Sequence, residues 1–414
     1  MHLRFRRFFR RSRRIWLRVA LIYVAFFLTW DTYELLRSPS TQNVSSSYHP
    51  NPNERFFIAS IHWNNEKILR SHWNRAVVDL VKYLGAENTY VAVLESGSWD
   101  DSKGALRDLE ADLLGMQVPN TIVLEESTHE DEMSRIPPPD KHGWMWTARK
   151  KMELRRIPYL ANLRNRVMDM MPRANDTDPR PFTKVLWLND VVFTVDDVLT
   201  LLSTNSGHYA AACALDFSKP PLYYDTFALR DISGAQPVTQ TWPYFLASAS
   251  RAAIVSDQAV LVQSCWNGIV AMDADPFYAN SPLRFRGISD SLASLHLEGS
   301  ECCLIHADNP LSSVKGVWLN PDVRVGYNVD AYDIVKASPN HSWPSFHSRF
   351  TGIWINRLAR WVGTPSRLLQ HLVVLSRLRQ WKSASPTKNP RIEPGIYCLI
   401  NEMQVLVKNG WKHL

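Results

Sequence analysis

Residues 184–193 read KVLWLNDVVF, and this stretch decides the fold class. Lys184–Leu188 is an apolar run of the length of a buried strand, and an Asn-Asp pair follows it directly. Thr194 can then cap a helix over Val195–Leu202, with Asp197 in the first turn, where the helix dipole favours an acid. A strand, a polar pair and a capped helix in this order are typical of an α/β sheet.

The same alternation extends to both sides of this stretch. We expect strands and helices at Phe56–Ile61 (strand), Glu66–Leu84 (helix), Tyr90–Leu94 (strand), from Ser102 to Gly115 (helix), Thr121–Leu124 (strand), near Tyr159–Met171 (helix) and Ala210–Leu215 (strand). Alternating elements of this kind predict a mainly parallel sheet with helices on both faces.

Polar side chains follow several of these strands, at the edge where such sheets bind ligands. They are His62 and Asn64, Glu95, Asn189 and Asp190, and Asp216. Any strand must end in something polar, so each residue alone is commonplace. Their coincidence favours a site at one edge of the sheet.

The charge of the chain is unevenly distributed. The 414 residues have a net charge of +7 and 45% hydrophobic content, which suits a full core and excludes a disordered chain. Residues 1–14 hold seven Arg and no acid, and residues 341–414 carry +9, which leaves −9 for residues 15–340. This acidic centre argues against nucleic-acid binding.

The N-terminus is predicted to be a membrane anchor. Residues 15–30, IWLRVALIYVAFFLTW, are mostly apolar and would rise about 24 Å as a helix, somewhat less than the ~30 Å hydrocarbon core. The positive-inside rule places residues 1–14 in the cytosol and the chain after Asp31 across the membrane. The alternative is a cleaved signal peptide, but no small-residue cleavage site follows the apolar run closely. A surface-lying helix is disfavoured because the run is apolar on every side.

The segment that follows, residues 31–54, is a polar, linker-like stem. Sequons at Asn43, Asn175 and Asn340 support a luminal location weakly. The five cysteines could form up to two disulfides in an oxidising lumen, with at least one thiol left over. Their spacing does not match a structural zinc site.

The Asn189-Asp190 pair carries the clearest chemical prediction. A carboxylate after a buried strand can hold Mg²⁺ or Mn²⁺, and the remaining sites of the ion take phosphate oxygens. Such an ion would neutralise the diphosphate of a departing nucleotide. The alternative is a turn in which both side chains bond only backbone amides.

Residues 55–325 resemble the fungal capsule-associated mannosyltransferases, the cryptococcal α-1,3-mannosyltransferase family (glycosyltransferase family 69). The strings that carry the resemblance are FIASIHWN (57–64), VLESGSWDDS (93–102), LANLRN (160–165), LWLNDVVF (186–193), ACALDF (212–217), YYDTFALRD (223–231), WPYF (242–245), SCWNGIV (264–270), FRG (285–287) and SECCLIHAD (300–308).

The resemblance implies a Rossmann-like GT-A glycosyltransferase fold over residues 55–330, with residues 331–414 as a basic extension. It also implies a retaining transferase that uses Mn²⁺ or Mg²⁺ and GDP-mannose. The acceptor would be a mannose-containing glycan of the fungal capsule or cell wall. The location would be the Golgi or ER membrane, with the catalytic domain in the lumen and a single type II anchor.

The metal ligands are only partly matched by the family pattern. Many GT-A enzymes carry Asp-x-Asp where this chain has Leu188-Asn189-Asp190, so a second ligand must come from elsewhere. His306 is the candidate, because GT-A enzymes often supply a late histidine. The alternative is a solvated or core histidine.

The other candidate residues are assigned by chemistry. Arg164 can pair with a diphosphate through two N–H groups, or form a surface ion pair, and Asn165 and Asn189 can bond sugar or phosphate. Glu95 could bind the base or the ribose, and Asp216 could bind the donor sugar or act in catalysis. The sugar site or a structural network could include Tyr224, Asp225, Arg230 and Asp231, and Trp266 and Asn267 could form a sugar platform or pack in the core. Glu298 and Glu301 are candidates for catalysis that the sequence does not rank.

Three further interpretations stay open. The basic tail could lie on a membrane, contact acidic glycans, bind a partner or be a solvated helix. The whole chain could be a non-catalytic assembly factor that keeps the transferase fold. It could also be a transferase for another nucleotide-sugar.

Overall fold

The computed structural model describes residues 2–37, 48–51, 53–172, 180–336, 343–385 and 390–414. The three sequons and residues 38–47 and 52 of the expected stem lie outside these residues. Within them, the strands are β1 (Phe56–His62), β2 (Thr89–Glu95), β3 (Asn120–Leu124), β4 (Trp144–Trp146), β5 (Met152–Leu154), β6 (Lys184–Leu188), β7 (Ala211–Lys219), β8 (Leu222–Tyr223), β9 (Val260–Val262), β10 (Ile269–Asp273), β11 (Glu298–Gly299), β12 (Val317–Gly326), β13 (Leu399–Ile400), β14 (Gln404–Val407) and β15 (Gly410–His413).

The helices connect these strands and extend the chain at both ends. They are α1 (His2–Arg37), α2 (Glu66–Ile68), α3 (Asn74–Leu84), α4 (Ser102–Gly115), α5 (His129–Ser134), α6 (Arg156–Met168), α7 (Val195–Leu202), α8 (Ser248–Val255), α9 (Asp275–Tyr278), α10 (Asp290–Ala293), α11 (Glu301–Asp308), α12 (Ser312–Lys315), α13 (Val329–Val335) and α14 (Phe346–Ser383), with a π-helical turn at Leu69–Trp73 between α2 and α3.

A mixed sheet forms the centre of the molecule, in the order β3-β2-β1-β6-β10-β7-β12-β9, with β8 beside β7. Strands β3, β2, β1 and β6 are parallel neighbours, and β7 and β12 form a second parallel pair. Strand β10 runs antiparallel between β6 and β7, and β9 runs antiparallel to β12. The predicted fold class, a mainly parallel sheet with helices, is confirmed.

Two hydrophobic cores cover the two faces of this sheet. Because successive side chains of a strand point to opposite faces, Phe57 of β1 packs on one side and Phe56 on the other. The first core is closed by α6, through residues such as Val167. The second is closed by α3, α4 and α7, whose buried residues include Leu80 and Leu106.

Helix α1 contains the predicted anchor. By length and composition, Arg18–Arg37 is apolar and long enough to cross a membrane, and this span overlaps the expected residues 15–30. Its apolar side chains are exposed, with Phe26 at 64% and Trp16 at 71%. Leu35 and Leu36, near the end of the helix, pack against the first core. The exposed apolar surface before them is the surface expected of a membrane span.

The C-terminal residues return to the sheet domain. Strand β13 pairs with β11, and a disulfide joins Cys398 to Cys303. A second disulfide joins Cys213 to Cys265, and buried Cys302 is the thiol left over. The division at residue 330 stays a prediction, and residues 390–414 pack on the part that precedes it.

Candidate functional site

The candidate site lies at the carboxyl ends of β1 and β6. Strands β2 and β3 lie to one side of β1 and β6 lies to the other, so the strand order changes direction here. In open α/β sheets, ligands bind in the crevice at such a point. The loops after the two strands meet there, because the Asn65 side-chain amide donates to an oxygen of Asp190 over 2.9 Å.

Neighbouring side chains fix both loops. Asn65 Oδ1 accepts from the backbone N–H of Trp63 at 3.0 Å and lies 3.2 Å from Nδ1 of His62. The indole N–H of Trp73 donates to the carbonyl oxygen of Asn189 at 3.0 Å. These bonds hold the Asp190 carboxylate at the crevice without using all of its hydrogen-bonding capacity.

The electrostatics of Asp190 suit a cation. Burial raises the pKa of Asp190 to about 6, although hydrogen bonds from Asn65 and from the backbone oppose the rise. Among the residues that the structure describes, no Lys, Arg or His forms an ion pair with this carboxylate. Buried charges in proteins are usually paired or bound to metals, so Asp190 fits a divalent cation as an oxygen ligand.

A second acidic group lies within β7, which continues three residues beyond Asp216 and so is longer than the predicted strand Ala210–Leu215. The backbone N–H of Asp225 donates to Asp216 at 3.1 Å, and the Tyr327 hydroxyl donates to its other oxygen at 3.0 Å. Burial and the charge of Asp225 raise the pKa of Asp216 to about 8, and burial also raises the pKa of Asp225. The pair therefore retains a proton at neutral pH.

Tyr224 connects the two acidic positions. Its ring lies 4.6 Å from that of Tyr327 and is 47% exposed. Burial and the charges of Asp216, Asp190 and Asp225 raise the pKa of its hydroxyl, so all three carboxylates lie within electrostatic reach. The predicted residues Asp190, Asp216, Tyr224 and Asp225 are therefore brought together at one crevice.

Arg164 lies beneath this crevice instead of on its surface. The guanidinium is 4.5 Å from the ring of Trp266 and 5.1 Å from that of Trp187, and its Nε donates to Glu301 at 3.2 Å. Only 8% of the Arg164 side chain is exposed, and its buried Nη1 has no hydrogen-bond partner. Arg164 therefore forms a buried ion pair instead of the surface ion pair that was the alternative to diphosphate binding, and its Nη1 has no hydrogen-bond partner.

The structure separates the two glutamates that the sequence leaves unranked. Glu301 begins α11 and pairs with Arg164, next to the crevice. Glu298 pairs with Arg155 through both oxygens, at 2.7 and 3.3 Å, and neither side chain is exposed. Glu298 therefore serves the packing of β11, and Glu301 is the glutamate beside the candidate site.

Several predicted binding residues are instead buried and bonded to the protein. Trp266 is 2% exposed, and its indole N–H donates to Asn189 at 3.2 Å. Asn267 is fully buried and bonds Tyr223 and the carbonyl oxygen of Ala214. These contacts make Trp266 and Asn267 part of the support of the crevice, and the exposed aromatic ring at this edge is that of Tyr224.

Asn165 and Glu95 are also engaged within the protein. Both side-chain groups of Asn165 bond the backbone of Phe285, at 2.8 and 2.9 Å. Glu95 is fully buried, accepts from the backbone of Ser98 and lies 4.0 Å from Lys103. The Asn165 side chain is therefore not free to bind a nucleotide in this conformation, whereas Oε2 of Glu95 is buried without a hydrogen-bond partner.

Arg230 and Asp231 are fully buried as well. Arg230 donates to the carbonyl oxygens of four residues, including Tyr397 at 2.6 Å and Cys398 at 3.1 Å. Asp231 accepts from the backbone of Ala235 and Ala247, at 3.1 and 2.7 Å. Both residues therefore shape loops, and the structural alternative describes them better than a role in the sugar site.

The structure does not bring His306 to Asp190. His306 is 1% exposed, its Nε2 lies 2.7 Å from the carbonyl oxygen of Cys265, and burial lowers its pKa to about 4. It lies five residues along α11 from Glu301, about 7.5 Å along the axis. It faces a cavity of about 740 Å³ at the start of β12, the edge opposite Asp190. The core-histidine alternative fits this position, and the described residues contain no cluster of three His, Cys, Asp or Glu poised for a metal.

Asn65 and Tyr327 are site residues that the sequence analysis missed. Tyr327 follows β12 directly, so the rule that found Asp190 and Asp216 would have identified it had β12 been predicted. Asn65 lies three residues beyond β1, in a loop whose conformation periodicity does not specify.

Comparison with known proteins finds one family whose sequence profile covers most residues of this site. The sequence profile of the family described as cryptococcal mannosyltransferase 1 matches residues 55–308, more than half of the chain. No curated protein matches the chain. The matched residues include β1, β6 and every carboxylate of the crevice.

Solved structures of glycosyltransferases show a distant similarity. One is residues 1–349 of TarS from S. aureus, at 10% identity and a TM-score of 0.36, covering 66% of this chain and 60% of that one. Another is the mannosyltransferase PcManGT from Pyrobaculum calidifontis in complex with GDP-Man and Mn²⁺, at 12% identity and a TM-score of 0.36. The similarity covers 90% of this chain and 87% of that one. A third is GalNAc-T7 with UDP, GalNAc and Mn²⁺, at 10% identity and a TM-score of 0.35, covering 66% of this chain and 42% of that one.

The family match places the protein among the glycosyltransferases. More specifically, the chain belongs to the cryptococcal mannosyltransferase 1 family, and the resemblance predicted from the sequence is confirmed.

Proposed function

We propose that this protein transfers mannose from GDP-mannose to a mannose-containing glycan, forming an α-1,3 linkage with retention of configuration. The family supports the donor sugar, and the crevice supports the chemistry. The observation that carries the proposal is Asp190, a partly buried carboxylate at the switch point of the sheet with a raised pKa.

The proposed cofactor is Mn²⁺ or Mg²⁺. Asp190 would hold it through a carboxylate oxygen, and hard cations of this kind commonly bind one or two carboxylates plus substrate phosphates. When bound, the ion would offset the negative charge of the diphosphate leaving group. His306 is not part of this proposal, because it lies at the opposite edge.

Exposure divides the remaining predicted residues into two groups. Asp190, Asp225 and Tyr224 reach the surface of the crevice, so we assign them to direct contact with the donor. Asp216, which retains a proton with Asp225, can donate a hydrogen bond to a sugar hydroxyl or position Asp225. Glu301 is buried behind them with Arg164 and would act through the crevice wall.

Asn189 has a positioning role in this scheme. Its carbonyl oxygen is held by Trp73 and its side-chain oxygen by Trp266. Since Asp190 is the next residue, both indoles fix the direction of its carboxylate. Asn65 completes the arrangement from the loop after β1.

The test is substitution of Asp190 in the full-length protein. We expect Asp190→Asn to lower the release of GDP from GDP-mannose, with Mn²⁺ and mannobiose as acceptor, by at least a hundredfold. Asp196→Asn is the matched control, because Asp196 is an exposed carboxylate six residues away. Full activity of Asp190→Asn would refute the proposed role, and activity with a different nucleotide-sugar alone would refute the proposed donor.

We also propose that the catalytic part, residues 55–330, lies in the lumen of the Golgi or ER. The support is the seven arginines before the apolar helix α1 and the two disulfides of the described residues. Residues 1–14 would then lie in the cytosol and residues 31–54 would be the stem.

A further inference from the structure

Helix α14 exposes an unusual number of large apolar side chains. Phe346 and Phe350 are two of them, near the start of the helix. The other seven are Ile355 (46%), Leu358 (51%), Trp361 (53%), Val362 (78%), Leu368 (57%), Leu369 (62%) and Leu372 (52%), which we call the apolar stripe. At 100° per residue these seven positions fall on one side of the helix. Exposed apolar patches of this kind mark protein or membrane contacts.

The opposite side of α14 is the one that packs on the protein. Its buried residues include Ile353, Asn356, Val374, Leu378 and Trp381. A helix on the surface of a soluble protein normally has a polar outer face. In α14 the outer face is apolar, so packing against the rest of the chain does not account for it.

The charge of α14 indicates the kind of partner. Between Phe346 and Ser383 there are six Arg and one Lys, with no Asp or Glu. Arg349 and Arg357 pair with Asp257 and Asp31, so the helix together with these two partners has a net charge of +5. Amphipathic helices with apolar and basic side chains bind at the interface of phospholipid membranes, where cations meet phosphate groups. The charge therefore complements a phospholipid surface.

A direct contact places this helix at the end of the membrane anchor. The Arg357 guanidinium lies 2.5 Å from Asp31 and donates to the Thr32 hydroxyl at 3.0 Å. Asp31 is the first acidic residue after the apolar residues 15–30 of α1. The N-terminal third of α14 is thus held at the depth where the hydrocarbon core would end.

We propose that α14 lies in the surface of the membrane that α1 crosses, with the apolar stripe facing the acyl chains. This inference rests on the proposed anchor and is independent of the proposed transfer reaction. It makes α14 a second membrane contact, which fixes the orientation of the sheet domain relative to the bilayer.

The test uses the full-length protein reconstituted into phosphatidylcholine vesicles that contain phosphatidylglycerol. Leu369→Cys and the matched control Gln370→Cys are each labelled with a fluorophore; both positions are exposed and about 100° apart on the helix. Cys302 is buried and the other cysteines form disulfides, so the new thiol is the reactive one.

We expect doxyl-labelled lipid to quench the label at position 369 at least threefold more than the label at position 370, and aqueous iodide to show the reverse preference. Equal quenching at both positions would overturn the proposal. Protection of position 369 from both quenchers would also overturn it, because the stripe would then be covered by protein. Unchanged circular dichroism of both variants shows that the fold is retained.

Discussion

Asp216 shows how the environment of a single residue changes its chemistry. It has no exposed surface, it faces Asp225, and Tyr327 donates to it. A carboxyl group with these neighbours is more stable protonated than ionised. The folded protein therefore binds a proton that the unfolded chain releases above its ordinary pKa of about 4.

This difference predicts a pH dependence of stability. Because the folded state holds the extra proton, the free energy of unfolding decreases as pH rises from about 4 to about 8. Asp216→Asn keeps the shape and removes the titration, so we expect a smaller loss of stability over this range and a higher Tm than wild type at pH 8. Denaturant unfolding at several pH values measures the loss of stability, and thermal unfolding at pH 8 measures the Tm.

Asp196→Asn serves again as the control, because this carboxylate is exposed on α7. If Asp216→Asn and wild type lose the same free energy of unfolding between pH 4 and 8, the titration of Asp216 does not cause the pH dependence of stability.

For single residues, the sequence predicted which residues lie near the crevice better than it predicted which of them are exposed there. The strand-end rule found Asp190 and Asp216, because the end of a buried strand is readable from an apolar run. It could not distinguish Tyr224, which is exposed, from Trp266, which is buried. That distinction depends on the loop between β9 and β10 and on Arg164, which come from distant parts of the chain.

The helices and strands that depend on their own residues were predictable from the sequence. Strand β6 and helix α7 have the predicted bounds, and the capping box of Thr194 and Asp197 forms as expected. The antiparallel strand β10 was not predicted, because it enters the sheet between two strands that precede it in the chain. Hydrophobic periodicity predicts that a segment is buried, but it does not predict which strands lie beside that segment in the sheet.

The pairing of β11 with β13 depends on a disulfide that closes a long loop. Cys303 and Cys398 are 95 residues apart, and a crosslink of this span stabilises mainly by restricting the unfolded chain. We expect Cys398→Ala to lower the free energy of unfolding by about 2–5 kcal/mol. Thermal and denaturant unfolding measure the change.

Cys302→Ala is the comparison for this prediction, because Cys302 is an adjacent buried thiol outside the disulfides. A loss in Cys398→Ala no larger than in Cys302→Ala would mean that packing alone holds β13 in place.

At the scale of the whole molecule, the separation of charge matches a membrane-bound arrangement. The basic residues 1–14 and α14 lie at the two ends of the sequence, and the contact between Arg357 and Asp31 brings α14 to the anchor. The acidic residues 15–340 contain the crevice. The net charge of +7 alone would have indicated nucleic acid, whereas its distribution fits the membrane attachment that we propose.

The proposed orientation makes a prediction for sealed microsomes. Proteinase K added outside should remove a tag fused before Met1 and leave the remainder of the chain intact, because only residues 1–14 would be accessible. Detergent should expose the whole chain to cleavage. Immunoblots against tags at both ends measure this, and loss of the C-terminal tag in intact microsomes would contradict the orientation.

The return of the last residues to the sheet domain has a consequence for biosynthesis. Arg230, which is fully buried, bonds the carbonyl oxygens of Tyr397 and Cys398, and Arg156 donates to Gln404 and stacks on Trp411 at 3.8 Å. The sheet domain therefore cannot finish folding until residues 397–411 have left the ribosome. A stop codon before Tyr397 would remove two of the acceptors of buried Arg230, and the truncated protein would be recognised as misfolded.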